Sequence, residues 1–156
     1  MEPQNNVYIY NTRTGGQNSN WLGAVYTSDG IFTPTLAVKG EGLISSIWNI
    51  VQDAPGLPFC LEIKDKASNP YRLVTPVNPA SGSLCSFQAV SNLNPNSGFR
   101  YWCFSYPTRI LLAWNICDPN QQRLSLDAGK YPQPMVFDFV SSVNQTWQYS
   151  STPPSS

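Results

Sequence analysis

The chain has 156 residues, 41% of them apolar, and its nine basic and nine acidic side chains sum to a formal charge of zero. That length suits one domain with a sizeable buried core, and sparse, balanced charge offers no basic surface for nucleic acid or an anionic membrane. No apolar run approaches the roughly 18 residues that mark a transmembrane helix, so no membrane insertion is expected.

The chain opens on Met1-Glu2-Pro3-Gln4-Asn5-Asn6, a polar start without the apolar core of a signal peptide. It predicts a protein that is cytoplasmic or exported by a non-classical route. From there strand signals dominate: short runs rich in β-branched and aromatic residues, bounded by Gly, Pro, Asn or Ser. They fall at 7–12, 20–25, 35–38, 46–50, 59–64, 71–75, 85–90, 100–104, 110–116, 122–127, 135–140 and 144–149. The one stretch with a helical flavour, 43–51, is short and β-branched and reads as strand. Long Pro- and Asn-rich loops separate the runs at 11–20, 76–83, 91–98 and 130–134. The end, 150–156, has the composition of a disordered tail.

These runs repeat. Trp48, Trp102 and Trp147 lie 54 and 45 residues apart, each in a short alternating segment. Leu22, Leu73 and Leu124 lie 51 and 51 residues apart, and Ile9, Cys60 and Leu111 fall into the same register. A recurrence near 50 residues means one supersecondary unit used three times. The expectation is a single all-β domain over 1–149, with repeats at roughly 7–57, 58–108 and 109–149. Three four-stranded units, none able to bury its own apolar face, resemble the β-trefoil: twelve strands, six in a short barrel and six in hairpins that cap it. A jelly roll or sandwich would not call for a threefold register.

Candidate chemistry is limited. The sequence holds no His, so the commonest general base and any Ser-His-Asp or Cys-His arrangement are excluded. Gly15-Gly16 sits in a polar loop rather than between strand and helix, so it is no phosphate cradle. The nine carboxylates, Glu2, Asp29, Glu41, Asp53, Glu62, Asp65, Asp118, Asp127 and Asp138, show no spacing that pairs them for acid–base work. Cys60, Cys85, Cys103 and Cys117 carry no C-x-x-C spacing; they read as buried thiols rather than zinc ligands, and disulfides would need an oxidising compartment. The expectation is a non-catalytic protein with no cofactor and no metal.

The third repeat carries the most specific signal. Asn144-Gln145-Thr146-Trp147 resembles the Asn-Gln-x-Trp ending of R-type (ricin-B-like) lectin repeats, and Leu126-Asp127 resembles that family's Leu-Asp pair. The resemblance implies a carbohydrate-binding lectin of the fungal kind, with Trp147 in the core and Asp127, Asn144 and Gln145 at the site. A stacking ring would come from Tyr131, Phe139 or Phe137. A carboxylate and an amide clamp adjacent hydroxyls while an aromatic face covers the C–H side of a sugar. The partners implied are glycans of glycoproteins or glycolipids. The Asp127-to-Asn144 interval is shorter than the family's, the usual Cys pair is missing, and the other units read Ser46-Ile47-Trp48 and Arg100-Tyr101-Trp102. Asn144-Gln145-Thr146 is also an N-glycosylation sequon, and Asp127 before Gly129 also suits a turn. Trp21 and Trp114, off the aligned positions, are further candidates for exposed rings, though Trp114 sits in a strand run and reads first as core.

A second resemblance is to the fungal β-trefoil protease inhibitors of the mycocypin and cocaprin type, similar in size and built around cleft-inserting loops. It implies a protease as partner, engaged by the proline-ordered loops named above. A homodimer is compatible with either reading.

Overall fold

The computed structural model describes residues 2–12, 19–94, 97–105, 109–112, 124–140 and 142–154. Trp114, Cys117, Asp118 and the Gly15-Gly16 loop lie outside them. Among the described residues the chain is all-β with twelve strands. The first four are β1 (Gln4–Asn11), β2 (Asn20–Tyr26), β3 (Phe32–Val38) and β4 (Trp48–Gln52). Then come β5 (Phe59–Lys64), β6 (Pro70–Val74), β7 (Ser86–Ala89) and β8 (Trp102–Ser105). The last are β9 (Arg109–Leu112), β10 (Leu124–Asp127), β11 (Met135–Asp138) and β12 (Trp147–Ser150).

Six strands follow one another, all antiparallel, in the order β12–β1–β4–β5–β8–β9, and wrap into a nearly closed, barrel-like sheet. The other six form three hairpins, β2–β3, β6–β7 and β10–β11, each attached to the barrel strand before it. Such wrapping leaves few free sheet edges.

The three Trp segments anchor this arrangement alike. Trp48, Trp102 and Trp147 each open a strand and are essentially fully buried. Each indole Nε1 donates to a main-chain carbonyl of the hairpin in its own unit: Trp48 to Leu22 at 2.7 Å, Trp102 to Leu73 at 3.2 Å, Trp147 to Leu126 at 2.8 Å. Burying rings of this size removes about 150–250 Å² each, on the order of 4–6 kcal/mol of transfer free energy apiece. A main-chain bond recurs three residues before each Trp: Ala24 N donates to Ser45 O at 2.9 Å, Thr75 N to Phe99 O at 2.9 Å, and Ala128 N to Asn144 O at 2.8 Å.

This corrects the register read from sequence. Leu126, not Leu124, matches Leu22 and Leu73. The strand pairing then aligns Ile9, Leu61 and Ile110 rather than Ile9, Cys60 and Leu111, and Ile9, Leu61 and Ile110 are all buried. Both slips have a physical origin. Leu124 and Leu126 point to the same side of one strand, and both are buried. Phe59, Cys60 and Leu61 are all buried, so no alternation distinguishes them.

Other boundaries shift too. Within 43–51, only Ser45 pairs before Trp48, as an isolated bridge to Ala24. Asn144 and Gln145 belong to a 3₁₀ turn, Val143–Gln145, because the Ser142 hydroxyl caps it by accepting from Asn144 N at 3.2 Å. Ser150, expected in the tail, closes β12 opposite Tyr8. Cys60 and Cys85 are buried free thiols, and Cys103 is half-buried. No helix among the described residues is long and apolar enough to cross a membrane.

Candidate functional site

The 3₁₀ turn before Trp147 sends neighbouring side chains in opposite directions: Gln145 is fully buried and Asn144 is exposed. Gln145 uses its whole amide. Its Nε2 donates to Asp127 Oδ2 and to the Asp138 carbonyl, both at 2.9 Å, and its Oε1 accepts from Val140 N at 2.9 Å. Asp127, 4% exposed, accepts from Gly129 N through its other oxygen at 2.6 Å. The turn role expected of Asp127 is therefore present, and the carboxylate also holds Gln145. This pair ties the end of β10, the chain leaving β11 and the turn into one braced unit. A buried polar pair is stabilising only when its donors and acceptors are matched in this way.

Above it lies a cleft of about 240 Å³, lined by Asn20, Val38, Ala128, Gly129, Tyr131 and Asn144. It joins the first unit to the third: Asn20 and Val38 pair with each other at the open end of the β2–β3 hairpin. Tyr131 is 50% exposed. Its loop is braced against the first unit, since the Pro132 carbonyl accepts from Leu36 N at 2.7 Å and from Thr35 Oγ1 at 3.2 Å. Gly129 keeps the floor open: a Cβ there would stand 2.8 Å from Asp127 Oδ1 and 3.2 Å from Asn144 Nδ2. Among the described residues the lining has no charged side chain.

Of the five residues singled out from sequence, Asn144 and Tyr131 share this cleft and Asp127 and Gln145 bond to each other. Phe139, 47% exposed, is not in the lining, nor is Phe137. Trp21 is half-buried, edge-on to Tyr8 at 5.2 Å. Sequence reasoning missed Asn20 and Val38. The available signal was that Asn20 interrupts an apolar position of the repeat: the pairing register puts Tyr71 and Leu124 at the equivalent places.

A second polar cluster, also missed, occupies the middle unit. Arg72, 8% exposed, pairs with Glu62 at 2.9 Å and Asp53 at 3.2 Å, and Tyr101 Oη donates to Asp53 at 3.2 Å. Its signal was an arginine inside the otherwise apolar run Tyr71-Arg72-Leu73-Val74, with Glu62 directly opposite. Burial pushes the adjacent Cys60 thiol from 9.0 up to about 11, with the Arg72 charge pulling the other way. Burial alone raises the Cys85 thiol further. A thiol held protonated is a poor nucleophile, so neither is set up for covalent chemistry.

No protein-family model matches the chain, and no curated protein or solved structure matches it.

Proposed function

We propose that this chain is a non-catalytic carbohydrate-binding protein, a lectin with the β-trefoil architecture, whose glycan site is the cleft between the third and first units. The observation that carries the reading is the meeting of the half-exposed Tyr131 ring and the exposed Asn144 amide in one cleft with no charged side chain among the described residues, above the buried Asp127–Gln145 pair. The ring stacks on the C–H face of a sugar, and the amide, both donor and acceptor, bonds hydroxyls. Asp127 acts here by position: it holds Gln145 and Gly129, and through them the turn that presents Asn144. A braced loop and floor lower the entropy lost on binding. The trefoil reading is supported by three equivalent Trp-to-carbonyl bonds and three equivalent main-chain bonds.

A glycan array probed with wild type, Tyr131→Ala, Asn144→Ala and Asp127→Ala tests the reading. Wild type binds a defined set of glycans, and the first two variants lose them at unchanged circular dichroism. A wild type that binds nothing, or cleft variants that bind as wild type does, would sink it.

One feature favours the protease-inhibitor reading as second choice. Val77, 52% exposed, sits on the 76–83 loop, which is tied down by Ala80 N to Ser83 Oγ at 2.9 Å and Gly82 N to Val136 O at 2.8 Å. An apolar residue displayed on a braced loop suits insertion into a protease cleft. Slowed turnover of a cysteine, serine or aspartic protease by micromolar protein, relieved by Val77→Asp, would bring this reading forward.

A further inference from the structure

The repeat breaks its own pattern at one buried place beside the cleft. The barrel-to-hairpin step that pairs Ile63 with Tyr71 in the second unit pairs Asn11 with Asn20 in the first, and the third unit has Leu124 at the hairpin position. Both asparagines are buried, at 2% and 3% exposure. Asn11 is accounted for: its Nδ2 donates to Val143 O and Thr146 O, both at 2.9 Å, and fastens the turn that carries Asn144. Asn20 is not. Its Oδ1 is buried and accepts no hydrogen bond, while the residue lines the cleft. A buried acceptor left open is unfavourable for the fold, and the other two units do without an amide there.

We propose that Asn20 is the specificity-determining residue of this cleft: on binding, its amide turns into the cleft and Oδ1 accepts a hydrogen bond from a hydroxyl of a neutral saccharide that bridges the first and third units. The inference rests on the carbohydrate reading and adds the ligand class and a specificity contact from the first unit. A hydroxyl fits because it can donate to Asn20 and accept from Asn144 at once. Neutrality follows from the lining, which among the described residues offers no cation to balance an anion, and from the Asp127 carboxylate just below Gly129. Side-chain rotation of this size is ordinary at binding sites, and a terminal amide turns about a soft torsion.

The test titrates wild type, Asn20→Leu and Asn20→Asp with methyl glycosides of neutral hexoses, N-acetylhexosamines and sialic acid, followed by NMR chemical shifts. Wild type binds at least one neutral glycoside and holds the sialoside more weakly. Asn20→Leu, which copies Leu124 of the third unit, folds with a melting temperature at or above wild type and binds about tenfold more weakly or worse. Asn20→Asp, which keeps the acceptor, stays within a few-fold of wild type. If Asn20→Leu binds as wild type does while Tyr131→Ala and Asn144→Ala lose binding, this inference falls and the carbohydrate reading stands. A marked drop in the melting temperature of Asn20→Leu makes Asn20 structural and also overturns the inference, as does Asn20→Asp binding no better than Asn20→Leu. Should wild type bind no glycoside and no arrayed glycan, both fall together.

Discussion

The second and third units share a frame and fill it differently. Both have a buried Trp donating to a hairpin leucine and a main-chain bond three residues earlier: Thr75 to Phe99 in one, Ala128 to Asn144 in the other. Where the third unit puts Asp127 and Gln145, the second puts Val74 and Arg100. Gln145 finds partners for its whole amide inside. Arg100 leaves a buried Nε without one and turns its guanidinium over the Tyr101 ring, 4.9 Å from the centroid. The frame therefore does not depend on what fills this slot. Tryptophan burial and main-chain bonds hold the barrel, and the slot carries a bonded Asp–Gln pair in one unit and a valine and an arginine in another.

If the three tryptophans are equivalent supports, removing any one should cost a similar, large amount. Trp48→Ala, Trp102→Ala and Trp147→Ala are each expected to lose about 3–5 kcal/mol of unfolding free energy, a large share of the roughly 5–15 kcal/mol of a typical domain. Urea titration of the three side by side measures this. One variant near wild-type stability would break the equivalence on which the three-unit description stands.

Much of the fold was legible for the same reason. A buried ring at the start of a strand recurs visibly, and strand runs between Gly, Pro and Asn are marked by local chemistry. Register was harder to read. A shift of two along an alternating strand leaves every apolar residue on its own face, so Leu124 could stand in for Leu126. A shift of one is hidden where Phe59, Cys60 and Leu61 are all buried. The site was half legible. Asp127 sits in the Leu126-Asp127 pair and Asn144 and Gln145 in the Asn-Gln-x-Trp ending, two short motifs, but Asn20 and Val38 reach the cleft only because the first hairpin packs beside the third unit, and no local pattern encodes that. Phe139 was as plausible a ring as Tyr131 from sequence, since both follow the Leu-Asp pair; the bracing of Pro132 by β3 brings Tyr131 to the cleft.

The slot contrast predicts a particular non-additivity. Asp127→Val alone strands one of the two Gln145 Nε2 protons and the Gly129 N–H, and Gln145→Leu alone strands Asp127 Oδ2 and Val140 N. Each single change is expected to cost about 2–3 kcal/mol. The double variant, which moves the slot toward the apolar Val74 of the second unit, should cost at least about 1 kcal/mol less than the sum of the two. Additive losses in a double-mutant cycle would mean the two side chains are not coupled.

Burial of the Cys60 thiol beside the charge cluster gives the second unit a pH dependence. The Cys60 thiol titrates at about 11 in the folded chain against an ordinary 9.0, raised by burial. Folding therefore keeps a proton that the unfolded chain releases. The stability from this group is complete below pH 9 and is lost as pH rises from 9 to about 11, by roughly 1 kcal/mol per pH unit. Urea midpoints of wild type and Cys60→Ala between pH 8 and 11 isolate it, because tyrosine ionisation is common to both. Parallel curves would show that Cys60 is not held protonated by the fold.

The smallest expected effect on stability is at the cleft itself, and it separates support from contact. Tyr131 is half-exposed, and its loop is held by the Pro132 carbonyl rather than by the ring. Truncation in Tyr131→Ala should change unfolding free energy by no more than about 0.5 kcal/mol, while Asp127→Val, a few residues away and buried, changes it several-fold more. A thermal melt of Tyr131→Ala that coincides with wild type, together with lost glycan binding, would mark the ring as a binding surface. A melt depressed as far as that of Asp127→Val would make Tyr131 another part of the frame and leave Asn144 and Asn20 as the cleft's only contact groups of the kind proposed.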